Sequence, residues 1–107
     1  MSNAFTLVTT FKQRGQWSRA VARNPDVKLS HRNVLRSLAD LATFDNDREL
    51  VVELTYGELA AVCLCCRSTA IRAVALGIEI GIVRKAQQSD GRVSNIFEFM
   101  LPLGDVS

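Results

Sequence analysis

Apolar residues recur along the chain with helical and strand spacings. Val34, Leu35, Leu38, Leu41 and Ala42 fall at i, i+1, i+4, i+7 and i+8, the stripe of an amphipathic helix. Ser30 is a good N-cap for that helix, which is expected to run to about Phe44. A shorter stripe of Trp17, Ala20 and Val21 precedes it and closes at Asn24-Pro25. Thr55 opens a third helix through Leu59, Ala60 and Val62, with Glu58 at the capping-box spacing. The Cys63–Cys66 stretch interrupts it, and a fourth helix runs from Arg67 to about Ile80, with Gly81 just past its end. Strand signals lie at Phe5–Phe11, Glu49–Leu54, Ile82–Gln88 and Val93–Leu101. Ser89-Asp90-Gly91-Arg92 joins the last two with an Asp-Gly hairpin signal. This order predicts one α+β domain.

Composition narrows the class without naming a function. The 107 residues are 48% hydrophobic and 22% charged, a globular balance that excludes a disordered chain. No apolar run reaches the ~18 residues of a spanning helix, and the first residues have no secretory-signal pattern. With three clustered cysteines and no disulfide framework, a cytoplasmic, membrane-free chain is expected. The net charge of +2 is unevenly spread. Residues 1–25 carry Lys12, Arg14, Arg19 and Arg23 with no acid. That basic segment fits a polyanion contact or a solvated face.

The segment Leu59-Ala60-Ala61-Val62-Cys63-Leu64-Cys65-Cys66-Arg67-Ser68-Thr69-Ala70 resembles the helix-turn-helix signature of winged-helix DNA-binding proteins. Gly81-Ile82-Val83 is similar to that family's step from helix to wing. The resemblance covers residues 29–101. It implies a winged helix-turn-helix domain, with residues 1–28 an added N-terminal arm and short helix and residues 102–107 a tail. Its implied function is sequence-specific binding of double-stranded DNA, most readily for transcription regulation. Thr55–Arg72 and the wing also resemble the DNA-binding part of plasmid, phage or mobile-element replication initiators. A winged helix used only as a protein-protein interaction module is the alternative of another class.

Under this resemblance Arg67, Ser68, Thr69 and Arg72 face the major groove, and Arg84, Lys85 and Arg92 face the DNA backbone. Ser68, Arg72, Ala75 and Glu79 make one narrow strip, and the apolar positions, Ile71 and Ile78 among them, are expected to be mainly buried. The chain departs from the family at three places. Leu64 stands where the turn usually has Gly, which implies a different turn or strain. Cys66 replaces the usual Ser or Thr cap, and Gly77 replaces a core Leu, which would admit a close helix contact. Cys63, Cys65 and Cys66 could hold a soft metal. With His31 distant and no second Cys pair, the expectation is no metal and no cofactor, with Cys65 filling an apolar position. No catalytic arrangement of Ser, His and Asp and no phosphate-binding Gly loop can be placed, so no enzyme is expected. Trp17, Ala20 and Val21 serve either the domain's own core or a homodimer face.

Overall fold

The computed structural model describes residues 5–45, 48–86 and 95–102. Among these residues the chain is mixed α+β, with four helices and an antiparallel sheet of five strands. In order the elements are β1 (Phe5–Leu7), α1 (Phe11–Arg23), α2 (Leu29–Leu41), β2 (Thr43–Phe44), β3 (Leu50–Leu54), α3 (Tyr56–Cys63), α4 (Arg67–Glu79), β4 (Val83–Lys85) and β5 (Asn95–Pro102). No single helix among the described residues is long and apolar enough to cross a membrane.

The strand β5 organises the sheet. It pairs with β3 through Leu54↔Asn95 to Val51↔Glu98, with β4 through Val83↔Phe99 to Lys85↔Phe97, and with β1 through Phe5↔Pro102 to Leu7↔Met100. Val8, just past β1, bonds to both β5 and β3. Its N–H donates to the Phe99 carbonyl, and its carbonyl accepts from the Leu50 N–H. Alternation along β5 sends Asn95, Phe97 and Phe99 inward.

The N-terminal segment is built into this core. Trp17, only 1% exposed, packs edge-on to Phe99 with ring centroids 4.9 Å apart. Its indole N–H donates to the Ile82 carbonyl at 2.9 Å. Val8, Val21 and Val27 join the same cluster as Leu35, Leu38, Leu59 and Val74. Of the possible homodimer face, Trp17 and Val21 therefore point into the protein's own interior, and Ala20 is exposed.

Helix ends differ from the periodicity reading in three places. α1 is longer than expected because Thr10 caps it, accepting from the Gln13 N–H, while Gln13 accepts from Thr9. α2 begins at Leu29 with Lys28 at the cap, so Ser30 lies within its first turn rather than at its start. α2 also stops at Leu41, because Thr43 and Phe44 leave the helix to pair with Val51 and Leu50. The Thr55–Glu58 capping box is present, with bonds of 2.8 and 3.0 Å.

Gly77 lies where α4 crosses α2 and meets β4. A Cβ there would stand 3.1 Å from Leu35 Cδ2 and 3.0 Å from Val83 Cγ2. The missing side chain lets α4 pack close, as its place in the sequence implies.

Candidate nucleic-acid interface

The helices α3 and α4 meet at a bend of 105° across the three residues Leu64, Cys65 and Cys66. The angle is within the ~90–120° of helix-turn-helix pairs. The turn is built by helix-closing hydrogen bonds. The Leu64 N–H donates to Ala61 and the Cys65 N–H to Ala60, the paired pattern of a Schellman end. That pattern needs a left-handed residue, and Leu64 supplies it at φ 54° and ψ 42°. The turn is thus of the usual left-handed kind, and Leu bears the strain that Gly would avoid. Leu64's side chain is 93% exposed, so no packing offsets that strain. α4 ends in the same pattern. Gly81 donates to Ile78, Ile82 donates to Gly77, and φ at Gly81 is 87°.

One face of α4 is buried through Ala70, Ala73, Val74 and Gly77. Arg67, Ser68, Arg72, Ala75 and Glu79 lie on the exposed face, with Thr69 half-buried beside them. The structure therefore brings the four major-groove candidates together at the N-terminal half of one helix. Among the described residues, neither Arg67 nor Arg72 has a carboxylate partner. Two apolar residues depart from expectation. Ile71 is 38% exposed and Ile78 40%, because both stand on the flank of the strip rather than against α2. Their apolar character alone suggested burial, but a 100° helical step carries each past the edge of the packed face.

The three candidate backbone contacts divide. Arg84 is held by Glu98, its cross-strand neighbour, at 2.8 Å, and that carboxylate raises the guanidinium pKa further. Lys85 is exposed one residue on. Arg92 and the Asp90-Gly91 turn lie outside the described residues. The bases of residues 1–25 belong to α1, where Arg14 approaches Asp40 at 3.8 Å.

The three thiols have different surroundings. Cys65 is half-buried against the core, and burial first, then its neighbouring thiols, push its pKa up. Cys66 caps α4 in the open. Its Sγ lies 3.2 Å from the Ser68 hydroxyl and 3.0 Å from the Thr69 hydroxyl. Both can donate to a thiolate, which lowers the Cys66 pKa to about 7. Among the described residues no three His, Cys, Asp or Glu side chains form a metal-binding group.

Comparison of the chain with protein-family models, with curated proteins and with solved structures finds no match.

Proposed function

We propose that the chain is a winged helix-turn-helix module that binds double-stranded DNA with α4 in the major groove, for use in transcription regulation. The observation that carries the reading is the strip on α4. Two arginines with no carboxylate partner among the described residues, and a serine, stand on the exposed face of a helix whose other face is core, set at 105° to its partner helix. Arg can bond guanine O6 and N7 in a fork, and the serine hydroxyl can reach a phosphate or a base edge. The topology supports the reading. The elements run in the order α2, β3, α3, α4, β4, β5, with β5 paired to both β3 and β4, an arrangement compatible with a winged helix. Lys85 is the better backbone contact in the wing, since Glu98 already occupies Arg84.

The test is a titration of the chain against random-sequence duplex DNA at two salt concentrations. An Arg67→Ala/Arg72→Ala double variant is titrated in parallel. Binding that weakens steeply with salt, and weakens further in the variant, is the expected result, because each phosphate contact adds about −0.9 to the log-log salt slope. Absence of binding by the parent at low salt removes the reading. A second reading, a protein-binding module, is favoured by the exposed Val62 and Leu64 at the turn. Under it Leu64→Ser weakens a protein complex while salt has little effect.

A further inference from the structure

We propose that Ile71 reads the 5-methyl group of thymine, so that the preferred duplex carries thymine beside the base contacted by Arg72. The inference rests on the DNA reading above and states what the α4 face selects.

Two lines of side chains run along the exposed side of α4. Ser68, Arg72 and Glu79 form the polar line, and Ile71, Ala75 and Ile78 form an apolar line beside it. Ile71 is the large apolar residue at the cationic end, one helical turn from Arg67 and next to Arg72. More than a third of its surface is open. A single exposed isoleucine needs no explanation in general. Its neighbours make this one specific. An apolar protein surface seated on Ile71 would also cover Arg67 and Arg72, which have no carboxylate among the described residues to offset their desolvation. A duplex satisfies both kinds of side chain at once. Phosphates and guanine accept from the arginines, and thymine presents the one apolar group on the base edges of the major groove, its C5-methyl. Ala75, one turn further along the same line, is short enough to let the helix approach the bases.

The experiment isolates the methyl group. A binding duplex is selected from a random-sequence library. It is then resynthesised with uracil in place of each thymine in turn, which removes the methyl and leaves base pairing intact. The parent is expected to bind about fourfold more weakly at one or more of these positions, the effect of one buried carbon. Ile71→Ala and Ile71→Gln, each matched to the parent in helix content by circular dichroism, are expected to bind thymine and uracil duplexes alike. Equal binding of both duplexes by the parent overturns the inference, as does undiminished discrimination in the two variants. A chain that selects no duplex at low salt removes the DNA reading itself. A chain that binds duplex and ignores the methyl removes this inference alone.

Discussion

Trp17→Ala tests whether residues 1–28 are an appendage or part of the interior. The indole is almost wholly enclosed against Phe99 and bonds the Ile82 carbonyl at the entry to β4. A tryptophan buries roughly 150–250 Å², worth about 4–6 kcal/mol at about 25 cal/mol per Å². Measured truncations of buried aromatic residues cost about 3–5 kcal/mol, and that range is expected here. The lost hydrogen bond adds little, because the Ile82 carbonyl keeps the Met100 N–H at 2.8 Å. Trp17→Phe, which keeps a ring against Phe99, should therefore cost less, about 1–2 kcal/mol. At about 4–8 °C per kcal/mol for a domain of this size, Trp17→Ala should lower the Tm by at least about 12 °C. Thermal unfolding followed by far-ultraviolet circular dichroism reads this directly. A fall under about 5 °C, or a parent that melts in two steps with only the first moved by the variant, would refute the argument that the N-terminal segment and the sheet share one core.

Three further outcomes follow from single residues. Gly77→Ala gains about 1 kcal/mol of helix propensity. It also forces a methyl to 3.0–3.1 Å of Val83 and Leu35, an overpacking that costs about 1–3 kcal/mol, so urea denaturation should show a net loss. Leu64→Gly should raise the Tm, since it relieves a left-handed leucine whose exposed side chain gives up no packing. A lower Tm would show that the strain is offset elsewhere. Iodoacetamide should label Cys66 with a rate that rises with pH through about 7 and then levels, because the thiolate is the nucleophile. Cys65, with its pKa raised, should stay unlabelled in that window, and peptide mass spectrometry distinguishes the two.

What could be read from the residues was local. Thr55 and Glu58 close a reciprocal pair of bonds within four positions, so the start of α3 was legible without any tertiary knowledge. Gly81 likewise marked the end of α4 because a left-handed residue is needed there. The start of α1 was equally available, as Thr10 and Gln13 have the spacing of a helix cap, but the β-branched run before them suggested an extended segment. The end of α2 was not available. Leu41 closes the helix because Thr43 and Phe44 find partners on β3, and helical periodicity carries no information about a strand several residues away. At the candidate interface, the arginines and hydroxyls of α4 were singled out through the resemblance to helix-turn-helix proteins. The lack of a carboxylate partner for the two arginines among the described residues, the capture of Arg84 by Glu98 and the exposure of Ile71 depend on packing.

The pairing of β5 has a consequence for the order in which the molecule assembles. β1, β3 and β4 all bond to β5, which follows them in the chain. Until residues 95–102 are available, β1 and β4 have no strand partner among the described residues, and β3 has only the two-residue β2. The pairing of Phe5 with Pro102 spans nearly the whole chain, a loop closure that must be met before it is rewarded. On the ribosome, the helices can form as they emerge, while the sheet waits for its last strand. This sheet is therefore completed after β5 leaves the exit tunnel, and a chain interrupted before Asn95 would expose the apolar faces that Phe97 and Phe99 are there to cover.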